Sequence, residues 1–267
     1  MSRNNDSNGR EWKKTQSAIT EGGSVISKYQ NVVVGNRSLI YTIYYEICMW
    51  LSHIPGALGL ALRKIFWPKL FSSCGKGVVF GEGIILRHPK KIKIGNRVVF
   101  SERCILDART TGVNDVIYIG DDVIFSNDVT ISCKESKINI GNRTAVSAYA
   151  MIHARINCPV DIGEDALIGP RCYITAGGSY NIDRLDIPIS KQGKTLDDGI
   201  LIENDVLLYA NTIVLGGLTL GSGCVVGAGG IVTKSLPPRS ICMGIPAKVM
   251  KMRDSLVTRS SVPVSKP

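Results

Sequence analysis

Apolar residues return at every sixth position along most of this chain. Ile202, Leu208, Val214, Leu220, Val226 and Val232 stand in unbroken register. Earlier triplets repeat the spacing: Ile94/Phe100/Leu106, Ile119/Phe125/Ile131, Ile140/Val146/Ile152 and Ile162/Ile168/Ile174. Four positions after these residues comes a smaller set, Val98, Val123, Val129, Thr144, Ala150, Ala166, Val206 and Thr212, with Cys104, Cys172 and Cys224 in the same slot. A helix repeats near 3.6 residues and a half-buried strand at 2, so neither sustains a period of six. A short strand followed by a tight turn does, and three such units close a triangular coil. One coil cannot bury its own interior, so coils stack on a shared core. Glycine follows the first member of many triplets (Gly95, Gly120, Gly141, Gly163, Gly221), where a bend tolerates φ > 0. The pattern predicts an all-β solenoid over residues 78–253, with Cys104, Cys172 and Cys224 as small core residues rather than nucleophiles.

Three interruptions break the register: residues 107–118, Ala154–Val160 and Thr175–Gly199. The last is the longest, and a long loop in a compact solenoid is usually functional. It carries Asp183, Asp186, Pro188, Asp197 and Asp198. Stacking the coils by their apolar register puts Asp107, Ser132, His153, Thr175, Leu215 and Thr233 along one outward edge, with His153 one coil below the root of the loop.

Ahead of the repeat, residues 38–72 predict apolar helices interrupted at Ile54-Pro55-Gly56 and flanked by Trp50, Phe66 and Trp67, with Arg63, Lys64 and Lys69 nearby. Two readings fit: a cap on the open end of the solenoid, or an amphipathic leader lying in a membrane interface. Residues 1–25 form a polar, disordered N-terminus and 254–267 a flexible tail. The apolar run Leu39–Leu51 is too short to span a bilayer, and the first 25 residues have no apolar signal-peptide core.

Charge sharpens this division. Residues 1–93 carry 14 Lys/Arg against 5 Asp/Glu, and residues 94–267 carry 18 against 17, so the net +10 belongs to the N-terminal third. Anionic lipid would meet such a segment. No groove-reading helix or aromatic–basic interleaving accompanies it, which argues against nucleic acid. The eight cysteines include no CxxC, and none lies at metal-ligand spacing from His53, His88 or His153, which argues against a zinc centre and a disulfide framework. Reduced thiols in a cytoplasmic protein, peripheral at most at the inner membrane face, are the reading that follows.

Residues 200–253 resemble the C-terminal coils of hexapeptide-repeat sugar and polysaccharide O-acetyltransferases. The most specific stretches are Gly227-Ala228-Gly229, Val232-Thr233-Lys234, Leu236-Pro237-Pro238 and Gly244-Ile245-Pro246-Ala247-Lys248-Val249. Asp186-Ile187-Pro188-Ile189 with Gln192-Gly193, Pro55-Gly56-Ala57-Leu58-Gly59 and Arg87-His88-Pro89 extend the resemblance from about residue 40 to 253. It implies a left-handed parallel β-helix with an N-terminal α-helical leader or cap, a homotrimer, and acetyl-CoA as cosubstrate in the groove between subunits, without a metal. It further implies acyl transfer to a carbohydrate or a nucleotide- or lipid-linked sugar in surface-polysaccharide or lipopolysaccharide synthesis. By the same resemblance Gly216, Gly217, Gly227, Ala228 and Gly229 would flank the pantetheine arm, and Lys234, Lys248 and Arg253 would meet the phosphates.

The chain departs from the family at its catalytic base. The histidine normally found a few residues before the DxPI element is Tyr180 here, and residues 154–267 contain no His. Three readings compete: His153 takes over as base; Tyr180 works with Asp183 or Asp186; or the site is eroded and the protein is a trimeric scaffold or a CoA- or sugar-binding subunit. Ile202-Glu203-Asn204 replaces the usual Ile-Gly-Asp, and Leu208-Tyr209 the usual Ile-Gly.

Overall fold

The structure, a computed structural model, describes residues 23–254 except Val113 and Asp115; residues 1–22 and 255–267, on which most of the expectations for the two terminal segments fall, lie outside it. From Ser73 onward the chain is a parallel β-solenoid of three sheets. Strands of one coil occupy three faces in turn, and each face is a ladder of parallel strands from successive coils. The first face begins at Ser73–Cys74 and runs to Leu218–Leu220, the second begins at Val79–Phe80, and the third runs from Ile85–Arg87 to Ile231–Val232.

The apolar register of the sequence is the register of the sheets. Ile94 pairs with Ile119, Phe100 with Phe125, Leu106 with Ile131, Ile152 with Ile174 and Ile174 with Val214. An earlier coil, Cys74/Phe80/Leu86, precedes them, each residue one rung below Ile94, Phe100 and Leu106. Leu236 and Cys242 start a further coil above Leu220 and Val226. The core is this set of columns. On the second face Phe80, Phe100 and Phe125 stack, with Phe71 of the leader below them, centroids 5.5, 5.7 and 5.0 Å apart from Phe71 upward. Cys104, Cys172 and Cys224 are buried in it, with burial raising the thiol pKa of all three.

Spacing is strict at two corners of the triangle and elastic at the third. First-to-second and second-to-third face steps are all six residues, whereas every insertion leaves between the third face and the first. The segments between Arg87 and Ile92, Asp107 and Ile117, Lys134 and Ile138, and Arg155 and Val160 emerge there, and so does the long loop between Ala176 and Ile200. Two of these, near residues 88–91 and 135–137, were not apparent from the repeat. The long loop is tied at its root by Asp197, whose carboxylate accepts the backbone N–H groups of Gly177 at 2.8 Å and Gly199 at 2.9 Å. A side chain on Gly216 would collide with that carboxylate, so this glycine is required by the loop root.

The helices Leu39–Leu51 and Gly56–Phe66 close the N-terminal end. The first coil has no coil beneath it, and leader side chains take its free carbonyls. Tyr45 donates to Leu86 O at 2.6 Å, Ser52 to Ile84 O at 3.0 Å and Arg63 to Phe80 O at 2.9 Å. Arg63 is 1% exposed and also donates to the carbonyls of Leu51 (3.0 Å), Ser52 (3.3 Å) and Ile54 (2.8 Å). Trp67 packs on Phe80 at 5.2 Å and donates its indole N–H to Cys48 O. The helices therefore act as a cap over the aromatic column.

Two predictions test these ties. Arg63→Met keeps the volume but strands several buried carbonyls, and should lower unfolding stability by about 2–4 kcal/mol in chemical denaturation. Asp197→Ala should leave the coils intact while amide exchange at Gly177 and Gly199 accelerates roughly tenfold or more, as expected for losing charge-assisted bonds. Unchanged exchange there would mean that the loop root is held by something else.

Candidate active site

His153 lies in the third-face strand Met151–Arg155. The register places it between Ser132 below and Thr175 above, with Asp107 below Ser132 and Arg87 below Asp107. The edge expected from the sequence is thus present over Asp107, Ser132, His153 and Thr175, and extends down to Arg87. His153 points to the outer side of the face yet is only 9% exposed. Tyr173, on the coil above, stands edge-on against the imidazole with centroids 5.5 Å apart and planes at 79°. Its Nδ1 is buried and has no hydrogen-bond partner. Burial lowers the His153 pKa, Arg155 and Lys134 lower it further, and Asp107 opposes them. The imidazole is therefore neutral at pH 7, the state able to accept a proton.

The surroundings are cationic. Asp107 is buried and takes Arg109 through a two-pronged bond, Nε to Oδ1 at 2.8 Å and Nη2 to Oδ2 at 2.6 Å, with Arg87 at 3.8 Å. Lys134 and Arg155 occupy adjacent rungs of the same face beside His153. Burial, together with Arg109, Arg155 and Arg87, lowers the Lys134 pKa against the opposing pull of Asp107. Arg155 reaches the start of the long loop, where its side chain lies against Gly178.

The loop candidates are arranged differently. Tyr180 sits in a short hairpin, Ser179–Tyr180 against Lys194–Thr195, half-exposed with the Lys194 ammonium 5.4 Å from its ring centroid. Asp186 is exposed and paired with Arg184, whose Nε donates to Oδ1 at 3.0 Å and which holds the carboxyl below its usual range. Asp183 is exposed. Among the described residues no hydrogen bond joins Tyr180, Asp183 or Asp186 to His153. Asp197 is the loop carboxylate with a structural task; its presence in the loop text gave no sign of that, because its partners Gly177 and Gly199 are bonded through backbone.

In the C-terminal coils Gly217 and Gly229 turn corners at φ +76° and +71°, and the side of Gly229 where a Cβ would point is open. Gly227 lies under Met243, and Ala228, Lys234 and Lys248 are exposed. Arg253 is engaged elsewhere: its Nη1 donates to Asp205 at 2.8 Å and to Gly223 O at 2.9 Å. Tyr209, at the position where glycine was expected, is exposed on the outside of the coil. No group of His, Cys, Asp and Glu able to hold a metal ion occurs among the described residues.

No family model matches the chain. A probable acetyltransferase of Mycobacterium tuberculosis is 30% identical over 135 residues, 51% of this chain and 44% of that protein. The galactoside O-acetyltransferase of Escherichia coli is 32% identical over 118 residues, 43% of this chain and 54% of that enzyme. The chain thus aligns with about half the length of these curated relatives. Among solved structures, a polySia-specific acetyltransferase, NeuO, matches with 25% identity and a TM-score of 0.44, covering 67% of this chain and 81% of that one. The six-residue repeat and the parallel solenoid thus go with sequence relatives that are acetyltransferases, to which this chain is similar over about half their length.

Proposed function

We propose that the protein transfers an acyl group, acetyl in the first instance, from acyl-CoA to a sugar hydroxyl or amine, with His153 as the general base. The observation that carries this reading is the neutral, nine-tenths-buried imidazole with an unpartnered Nδ1, one coil below the loop root. A sugar hydroxyl is a poor nucleophile until its proton leaves. A ring nitrogen of His153 accepts that proton as the oxygen attacks the thioester carbonyl; the C–S bond breaks, and the proton passes to the departing thiolate. The thioester supplies the activated acyl group. The corners at Gly217, Gly227, Ala228 and Gly229 offer backbone to the pantetheine arm, and Lys234 and Lys248 offer cations to the phosphates. The acceptor belongs to surface-polysaccharide or lipopolysaccharide synthesis, in keeping with acetyltransferase relatives that include one acting on galactosides.

A homotrimer accounts for the outer surface of the solenoid. The outer column of the second face reads Val79, Val99, Ile124, Ala145, Leu167, Leu207, Val225, and that of the third reads Ile85, Ile105, Thr130, Met151, Tyr173, Ile213, Ile231. The first face instead shows Lys93, Tyr118, Asn139, Asp161. Two apolar faces meeting at one corner suit packing around a threefold axis. The missing loop histidine favours a second reading, a non-catalytic scaffold or CoA-binding subunit.

The leader supports peripheral membrane contact. Ile40, Ile43, Ile47 and Trp50 line one side of the helix Leu39–Leu51, Ile40 82% and Trp50 76% exposed, with Leu58 and Ile65 exposed on the next helix. Residues 23–93 carry ten Lys/Arg against two Asp/Glu, which suits an anionic lipid surface at the cytoplasmic side. No helix among the described residues is long and apolar enough to cross a membrane.

The enzyme reading is tested by free-thiol release from acetyl-CoA on a panel of nucleotide sugars and lipid-linked oligosaccharides. His153→Gln should cost about 10²–10⁴-fold in kcat/KM, as for loss of a general base. Tyr180→Phe should cost little. Because the His153 pKa is lowered, wild-type kcat/KM should stay flat as pH falls to about 6.5 and drop only below it. CoA binding without turnover on any acceptor would establish the scaffold reading instead. For the leader, flotation with phosphatidylglycerol-containing vesicles at low salt should carry the wild type and not Ile43→Asp/Trp50→Asp; equal recovery with phosphatidylcholine alone would remove the electrostatic part.

A further inference from the structure

Elsewhere on the solenoid three arginines are neutralised by carboxylates of the next coil. Arg97 is paired with Asp122 at 2.6 Å, Arg103 with Asp128 at 2.7 Å and Arg143 with Asp165 at 2.7 Å, each to the coil above. The elastic corner beside His153 breaks that habit. Arg87, Arg109, Lys134 and Arg155 gather there near Asp107, which Arg109 and Arg87 already share, while the neighbouring Glu135 is taken up by Thr110 and Thr111. Among the described residues Lys134 and Arg155 have no carboxylate partner, although both are partly buried and stand on adjacent rungs, roughly 4.8 Å apart in a sheet. Arg155 is among the charges that lower the Lys134 pKa, so the two repel on a partly desolvated surface, a cost that an incoming anion removes. The buried, unpartnered Nδ1 of His153 lies beside the same patch, and Arg155 leads from it to the loop root at Gly178.

We propose that Lys134 and Arg155 form an anion subsite that binds a carboxylate or phosphate on the acceptor and so presents its hydroxyl or amine to His153. The acceptor is then an acidic or phosphorylated sugar rather than a neutral one. This rests on the reading of His153 as the base, but its test does not depend on turnover.

The probe is inorganic pyrophosphate, and the readout is the His153 imidazole C2–H resonance of the full chain, titrated against pH. With three histidines in the chain, it is assigned by its loss in His153→Gln. An anion bound beside His153 stabilises the imidazolium, so pyrophosphate should raise the titration midpoint by about one pH unit, a tenfold change in proton affinity, relative to sodium chloride at equal ionic strength. The shift should vanish in Lys134→Gln/Arg155→Gln and persist in Arg97→Gln, a variant of a paired arginine. No shift, or an equal shift in the double variant, overturns the subsite. Displacement of pyrophosphate by coenzyme A also overturns it, since the cations would then hold a cosubstrate phosphate. No shift in the wild type, alongside a His153→Gln variant that abolishes transfer, would leave the base standing and the anion subsite refuted. A clear shift with His153→Gln fully active would do the reverse to the base.

Discussion

The backbone step from one coil to the next governs everything else in this molecule. Gly95 N–H donates to Ile119 O at 2.8 Å, Gly120 to Ile140 O at 2.8 Å, Gly141 to Ile162 O at 2.7 Å and Gly163 to Ile202 O at 2.7 Å. The same atoms bond on every rung, so equivalent positions lie directly over one another and a residue choice becomes a column. The corner leaves no room above it for a side chain: a Cβ on Gly95 would meet the backbone of Gly120, and one on Gly141 that of Gly163. Glu203 stands in this glycine column and its carboxylate is taken up one coil above, by the backbone N–H of Ser222 at 2.8 Å and its hydroxyl at 2.7 Å.

Stacking also explains how charged residues come to occupy conformations usually left to glycine. Arg97, Asp122, Arg143, Asp165 and Asp205 share one corner with φ from +53° to +59°. A left-handed backbone costs an L-residue about 1–2 kcal/mol. Here consecutive coils offer opposite charges at short range for the first four, and Arg253 reaches Asp205 from the last strand. The pairs are exposed and individually weak, but the column repeats them without any loop reorganisation.

The solenoid was legible because its core obeys a period: Ile94, Phe100 and Leu106 need only be counted in sixes. The stacking of His153 on Thr175 was legible for the same reason. What lay outside the count was not. The first coil opens with Cys74 rather than an aliphatic residue. Arg63 reads as one more leader cation, and only the proximity of the Phe80, Leu51, Ser52 and Ile54 carbonyls turns it into a cap. His153 lies on the outward edge that the spacing gives, yet it is covered, because Tyr173 stands on the next rung two residues before Thr175, the position directly above it. The cationic corner escaped as well. Arg109, Lys134 and Arg155 sit at irregular separations, since each insertion lengthens its coil by a different amount.

That irregularity is where the fold permits chemistry. Two corners of the triangle are locked at six residues per step, and any insertion there would shift a core column. The third corner can lengthen without disturbing the ladder, because each chain re-enters the first face in register: Ile138 over Ile117, Val160 over Ile138, Ile200 over Val160. Variation therefore accumulates along one edge, on a rigid support. The polar residues that the repeat excludes from its interior collect there, Asp107, Arg109, Lys134, His153 and Arg155 among them, and the longest excursion roots directly above His153. A solenoid with one elastic corner thus separates what must repeat from what must recognise, and it places the buried imidazole of His153 at the boundary between them.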